Sequence, residues 1–436
     1  MRSSRSKRPP SYLASGLLLT CLLGACQGAV PAVITTTPSP LLPDMSQPPP
    51  PATHAAETEA GLRGKVHLWL DWAPQDMARM IELASRFHTL YPGVDLRISY
   101  TSAETLGDDL MAAREAGDQP TMVIASPVAG VELYQSGLLL NIRERVPPEM
   151  LSQLHPAAIA QLQVGEALLG LPIDFEAVVL YRNRNIVSEP VETTRDLVAA
   201  AQAVAAKNRI GAYFDFGFPM SGGFATACGG PLLTAENATA FDGPIGVCWT
   251  ILLRRLARAG KVAFNSEKDI TDFKSGKAGW IVESTSRMWE LASAIGETNL
   301  AIDPWPVHSE TGESLAGHLW TRSLFLDSSL RGENLEATWA FAMYLLSPDA
   351  QRVITARGDV QRLPALQLSG SGDSLLDSAR SASEASLPFP LLKDLGPYAR
   401  ALERAASAVI YSGSLPELAL RRAMVEIRAG TPTPAP

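Results

Sequence analysis

Six histidines, four cysteines and 45 carboxylates are the groups in this 436-residue chain with which a metal could be bound or a proton moved, and their spacing supports neither. His54, His67, His88, His155, His308 and His318 form no pair at helical ligand spacing, and there is no Cys-x-x-Cys, so a zinc site is not expected. Each histidine is read as a surface or loop residue. Gly276-Lys277 has the end of a phosphate loop, but Ala278 stands where a magnesium-binding hydroxyl is needed and the upstream glycine is missing. Ser221 lies between Met220 and Gly222, outside the Gly-x-Ser-x-Gly frame of a nucleophile elbow. Asp108-Asp109 falls on a solvated helix face. No cofactor, no metal and no catalytic centre is therefore expected. What remains is a set of aromatic residues where short strands give way to loops: Trp69, Trp72, Phe216, Phe218, Trp305 and Trp320. Flat apolar rings flanked by polar groups suit a sugar, which has apolar faces and a rim of hydroxyls. Trp249, Trp289 and Trp339 lie within helical apolar stripes and are read as core.

The elements that would position these rings alternate in type. Val66 to Leu70 is a short apolar run suited to a buried strand. Pro74 then opens a helix in which Met77, Met80, Ile81, Ala84 and Phe87 recur at three- and four-residue spacing. Pro92-Gly93 stops it, Val94 to Tyr100 alternates as a strand, Leu106 to Ala116 is helical, and Thr121 to Ala125 is again a strand. That order predicts a parallel sheet wrapped by helices. It returns with a strand at Val178 to Tyr181, helices at Thr193 to Lys207 and Val247 to Arg258, and a helix end, turn and strand over Phe273 to Val282. A core helix is expected over Leu335 to Leu346, and Ser369 to Ser386 reads as a surface loop or a weak helix. About 400 residues exceed one ordinary core, so two α/β domains are expected.

The N-terminus has its own signal. Arg2, Arg5, Lys7 and Arg8 precede an apolar stretch from Tyr12 to Leu23, too short to span a membrane, and Leu23-Gly24-Ala25-Cys26 matches a bacterial lipobox. Cys26 is the expected site of lipid attachment, and an ordinary cleaved secretory signal is the alternative. From Gly28 to Gly61 proline recurs among Thr, Ser and Ala, a composition that makes a tether reaching about 100 Å. Loss of residues 1 to 25 removes four positive charges and no acidic ones, which takes the formal charge from −8 to −12. Nucleic acid is not expected as a partner. Cys228 and Cys248 are the remaining thiols. They either bridge, closing a loop of about 20 residues worth roughly 3 kcal/mol, or stay as two buried thiols.

At Leu171-Pro172-Ile173-Asp174-Phe175-Glu176-Ala177-Val178-Val179-Leu180-Tyr181-Arg182-Asn183 the chain resembles the extracellular solute-binding proteins of ABC importers, in the maltose-binding-protein-like branch. Further landmarks follow in family order: the Trp69 strand, Gln135 to Leu139, Gly229-Gly230, Phe273 to Ala278, Ala301 to Pro306, and Leu335 to Gln351 ahead of Pro364. The resemblance implies an α/β, two-lobed periplasmic-binding-protein fold (type II) with a hinge and an interlobe cleft that closes on a solute. It implies the divisions 1–25 lipoprotein signal peptide, 26–62 tether, 63–173 and 307–368 N-terminal lobe, 174–306 and 369–430 C-terminal lobe, and 431–436 disordered tail.

Glu176 matches the family's hinge-proximal, sugar-contacting glutamate, and either accepts sugar hydroxyls or forms a hinge salt bridge. Phe216-Gly217-Phe218 matches a segment that supplies an aromatic platform, and Ser126-Pro127 falls where the first lobe offers polar contacts. Asp71, Asp174 and Glu283 complete the candidate contacts. Val128-Ala129 and Ser286 stand where maltose-specific members carry an acid-base pair and a tryptophan, which separates this chain from maltodextrin specificity. The function implied is that of a monomeric, lipid-anchored, extracytoplasmic protein that delivers a small-molecule solute, a carbohydrate by the aromatic pattern, to ABC permease transmembrane subunits. A sensor lipoprotein presenting the solute to a receptor, and an enzyme acting on a sugar in the same cleft, are the alternatives.

Overall fold

Every second residue of β1 (Gly64–Leu70) from Val66 onward is apolar and buried: Val66, Leu68 and Leu70. The computed structural model describes residues 61–205, 209–234, 240–368, 370–392 and 394–430. The lipobox with Cys26, the tether up to residue 60 and the tail 431–436 lie outside them. α1 (Pro74–Leu90) carries its proline in the first turn and buries Met80, Leu83, Ala84 and Phe87. Ile81, expected on that stripe, is exposed, because the face turned to the core runs through Leu83 instead. β2 (Val94–Tyr100), α2 (Leu106–Ala116), β3 (Met122–Ala125) and α3 (Pro127–Gln135) follow as the alternation predicts. β1 pairs in parallel with both β2 and β3.

The chain then crosses. β4 (Gly170–Asn183) is one strand of 14 residues that enters three buried clusters in turn. Leu171 and Ile173 join the cluster around β1 to β3. Beyond them the period-two geometry of a strand divides the side chains between the two faces of a second sheet: Val178 and Leu180 pack with Phe214 and Trp249, and Ala177, Val179 and Tyr181 pack with Phe273 and Trp289.

The second lobe is built from α4 (Thr194–Ala205), β5 (Ile210–Asp215), α5 (Pro244–Leu256), β6 (Gly260–Ala263), β7 (Ala278–Ser284) and β8 (Leu300–Asp303). β7 and β8 pair antiparallel to β4, while β5 lies parallel between β7 and β6. The return strand is β9 (His318–Leu326), with Leu319 in the second lobe's clusters and Leu324 to Leu326 in the first. Leu315 still packs with the second lobe, so the core changes over within β9, later in the chain than residue 307. α6 (Gly332–Leu345) caps the first lobe. α7 (Ser374–Ser383), capped by Asp373, fills the segment read as loop or weak helix. α8 (Gly396–Tyr411) and α9 (Pro416–Gly430) complete the second core.

Cys228 and Cys248 are bridged, which ties a short 3-10 segment to α5. The reading of the histidines is corrected in part. His67 and His318 lie buried on β1 and β9, whereas His155 and His308 are loop residues as expected, though buried too, and each of the four is hydrogen-bonded through a ring nitrogen. A neutral imidazole with one satisfied nitrogen packs as a polar aromatic, a state that composition does not reveal. Among the described residues no helix is long and apolar enough to cross a membrane.

Candidate functional site

Where β4 and β9 cross between the cores, their register slips between Arg322 and Ser323. The slip lies at a cluster of charges. Arg322 Nε donates to both oxygens of the fully buried Asp174 carboxylate at 2.9 and 3.0 Å, and Nη1 reaches Asp76 at the start of α1 at 2.8 Å. Its guanidinium lies 3.9 Å from the centre of the Trp72 ring. Asp174 and Trp72 are thus engaged by Arg322 at the crossing, joining β9 to β4 and to α1.

Beside the crossing is a cavity of about 510 Å³. Its wall takes Ser126, Pro127 and Val128 from the β3–α3 junction, where the Ser126 hydroxyl caps the helix by accepting from Ala129 N at 3.3 Å. Glu176 comes from β4, Trp320 and Thr321 from β9, and Glu283, Ser284 and Ser286 from the end of β7 and the turn after it. Glu176 and Trp320 are paired in register across β4 and β9.

The polar groups are held in place. Glu176 Oε1 meets Arg362 Nη1 at 2.8 Å, and Oε2 accepts from the Ser284 hydroxyl at 2.8 Å. Arg362 is delivered by the short strand Leu363–Pro364, which pairs with β4 at Phe175 and Asp174. Its Nε is enclosed and has no hydrogen-bond partner among the described residues. Glu283 is only 8% exposed. Burial pushes its carboxyl up to about 7, against the hydrogen bond that one oxygen accepts from Ser284 N at 2.6 Å. A protonated carboxyl there would donate as well as accept.

The apolar wall is aromatic. Trp320 and Phe389 lie with ring centres 4.9 Å apart and planes at 38°. Phe389 arrives on the short strand Leu387–Pro388, parallel to β9, and its N–H donates to Leu319 O at 2.9 Å. Gln161, buried beneath, donates to the carbonyls of Leu319 and Phe389 at 3.0 and 3.1 Å and accepts from Thr321. One amide therefore fixes both ring-bearing segments. Pro390, Leu391 and Met220 extend the apolar side.

Of the candidates read from sequence, Ser126, Pro127, Glu176, Glu283 and Trp320 come together around this cavity. The others lie elsewhere. Phe216 and Phe218 are 0% and 1% exposed in the second lobe's core, with Phe218 against His318. Trp305, also buried, packs edge-on to Phe224. Trp69 packs on the first core and donates to His67 Nε2 at 2.9 Å, and Asp71 is exposed at the end of β1. No group of three or more metal-ligating side chains occurs among the described residues.

The model of the bacterial extracellular solute-binding proteins matches residues 82–371, a span that includes both crossing strands and the cavity wall apart from Phe389, Pro390 and Leu391. This chain belongs to that family. Like other members it is an extracytoplasmic solute-binding protein with two α/β lobes. It is similar to the maltotriose-binding protein of Pyrococcus abyssi (strain GE5 / Orsay), 29% identical over 141 residues, which are 32% of this chain and 30% of that one. The matched segment thus spans about a third of the curated relative. Among solved structures, a cyclo/maltodextrin-binding protein complexed with maltotetraose superposes with a TM-score of 0.72 at 17% identity, covering 85% of this chain and 97% of the other. The cyclic alpha-maltosyl-1,6-maltose binding protein from Arthrobacter globiformis superposes with a TM-score of 0.68 at 18% identity, covering 84% and 98%. At such identities the likeness is one of fold.

For this solute-binding protein, Gln161, Arg362 and Phe389 are among the wall residues that sequence reasoning missed, with Met220, Ser284, Thr321, Pro390 and Leu391. Arg362 stands two residues before the landmark Pro364, which was the one available signal. Val128 and Ser286, two of the three positions of departure from maltose-specific members, also line the cavity.

Proposed function

We propose that this solute-binding protein is the substrate-binding subunit of an ABC importer and that it takes a carbohydrate between its lobes. The observation that carries the reading is the in-register pair of Glu176 and Trp320 on the two crossing strands, both in the cavity wall. A sugar offers an apolar ring face to an indole and hydroxyl donors to a carboxylate, and this pair presents both partners side by side. The cavity volume of about 510 Å³ lies within the usual range for a small-molecule site. The printed names of the relatives, which bind maltotriose and maltodextrins, point to the same ligand class.

Function follows from differential contact. Ser126 and Pro127 belong to the first lobe and Glu283 to Ser286 to the second, so a solute touching both sets stabilises the closed form over the open one. No step of chemistry is required. Closure presents a surface for a permease, and Cys26, lipidated, keeps the lobes near that permease on a proline-rich tether at high effective concentration. A thermal-shift screen of the mature protein over mono- and oligosaccharides, polyols and amino acids tests the ligand class. A saccharide at 100 times its dissociation constant raises stability by about 2.7 kcal/mol. A response to amino acids alone would sink the carbohydrate reading. Membrane fractionation of Cys26→Ser tests the anchor, since unchanged retention would exclude it.

A further inference from the structure

A separate hollow of about 380 Å³ on the second lobe has a basic wall, in a chain whose formal charge is −8. It shares no lining residue with the interlobe cavity. Arg195 comes from the first turn of α4, Arg255 from the last turn of α5, and Arg258 from the 3-10 turn Ala257–Ala259 that follows. Arg255 is paired with Glu310, whereas Arg195 and Arg258 form no ion pair among the described residues. The backbone groups that open α4 are already used: Thr194 N donates to Val307 O at 2.9 Å and Arg195 N to Ser309 Oγ at 3.0 Å. The loop after β8 supplies a further donor instead. His308 is 2% exposed and lines the hollow. Its Nδ1 accepts from Thr311 N at 3.1 Å, so the ring hydrogen sits on Nε2, which has no partner among the described residues.

Glu310 marks where negative charge settles. This exposed carboxylate closes on Arg255, and that contact, before any other, holds its pKa below the usual range, with His308 and Arg195 adding to the effect. A phosphate group brings more acceptor oxygens and a higher charge to the same set of donors. We propose that this hollow is a phosphate site, in which Arg195, Arg255, Arg258 and the His308 Nε2–H hold the phosphate of a small solute or of a lipid headgroup, and for which Glu310 is the internal competitor. The site is independent of the solute taken between the lobes.

The full mature chain carrying Cys26→Ser, so that no lipid anchor contributes, is titrated by calorimetry with inorganic phosphate at fixed ionic strength. The same protein is sedimented with vesicles of phosphatidylcholine, with and without phosphatidylglycerol. Saturable binding to at least one probe is expected, weakened about tenfold or more in Arg195→Ala/Arg258→Ala and tightened about threefold or more in Glu310→Gln. These side chains are exposed, so the variants should keep a native circular dichroism spectrum. Arg421→Ala/Arg422→Ala removes the same charge from exposed positions on α9, outside the hollow, and should leave binding unchanged. Sedimentation that requires phosphatidylglycerol and is lost in Arg195→Ala/Arg258→Ala identifies a headgroup as the source, and phosphate binding without it identifies a free phosphate-bearing solute. Absence of binding to both probes, even in Glu310→Gln, overturns the proposal. An equal loss in the charge-matched variant, or weaker binding in Glu310→Gln, overturns it as well.

Discussion

Glu176 and Trp320 stand directly opposite one another on the antiparallel strands β4 and β9, and both line one cavity. A shift of one residue in either strand would send one of them to the opposite face. The register is fixed nearby by the slip between Arg322 and Ser323 and by the Arg322–Asp174 ion pair. The proposed solute contacts and the interlobe crossing thus rest on the same few residues.

Trp320→Ala should weaken saccharide binding by about tenfold or more, since it removes the ring that lies over Phe389. Trp320 is only half-buried, so the circular dichroism spectrum should stay native. Titration by calorimetry checks this, and wild-type affinity in the variant would remove the indole from the site.

Glu176→Gln keeps the shape but discharges the partner of Arg362. Binding should fall at least about tenfold, and Arg362→Ala should do the same. Because the two side chains touch, the double variant should lose less than the sum, with a coupling of about 0.5–3 kcal/mol. Additive losses in the double-mutant cycle would mean that the two contact solute independently.

Arg322→Leu leaves the Asp174 carboxylate buried and unpaired, with a side-chain exposure of 0%. Stability should drop by about 3–5 kcal/mol, and Asp174→Asn in that background should recover part of it. Urea unfolding measures both. A loss below about 1 kcal/mol would show that the pair does not hold the crossing.

These residues also show what was legible in the sequence. The strand-helix alternation was readable because buried strands and amphipathic helices leave their own periods, whereas the crossing segment was reached by resemblance over 171–183, periodicity giving only the strand Val178 to Tyr181. Glu176 was found by its match to the family's glutamate in the stretch 171–183, and Trp320 as an aromatic ring where a strand gives way to a loop. Phe216, Phe218 and Trp305 carry the same local signal, an aromatic ring at a loop end, yet they went to the core; only long-range packing separates the two fates. Phe389 and Arg362 reach the cavity on two-residue strands, Leu387–Pro388 and Leu363–Pro364, too short to leave any period. Gln161 serves through its amide, bonded to segments about 160 and 230 residues away.

Two buried carboxyls should leave a mark on the pH profile. Asp269 and Glu283 are both raised to about 7, by burial first, from ordinary values of 3.8 and 4.5. The folded state then binds more protons than the unfolded one between about pH 4 and 7, so this contribution to stability is present at low pH and is lost as pH rises through 7. His318 runs the other way. Burial lowers it from 6.5 to about 4, so its contribution is present above 6.5 and is lost as pH falls toward 4. The carboxyl contribution is isolated by comparing wild type with Asp269→Asn/Glu283→Gln in melts from pH 5 to 8. The variant should gain relative stability as pH rises. A difference that does not change with pH would contradict the assignment.

The Cys228–Cys248 bridge closes a loop of 20 residues. Replacing both cysteines by serine should cost about 3 kcal/mol through the entropy returned to the unfolded chain. Denaturant midpoints with and without reductant check it, and a midpoint unmoved by reduction would mean that the bridge adds no stability.

The most direct measurement is a calorimetric titration of the mature protein, and of Trp320→Ala, with neutral oligosaccharides, followed by chromatography of the ligand afterwards. The account predicts saturable binding of one chain per protein, a marked loss of affinity in the variant, and ligand recovered unaltered. Absence of binding, or recovery of shortened saccharide, would contradict it.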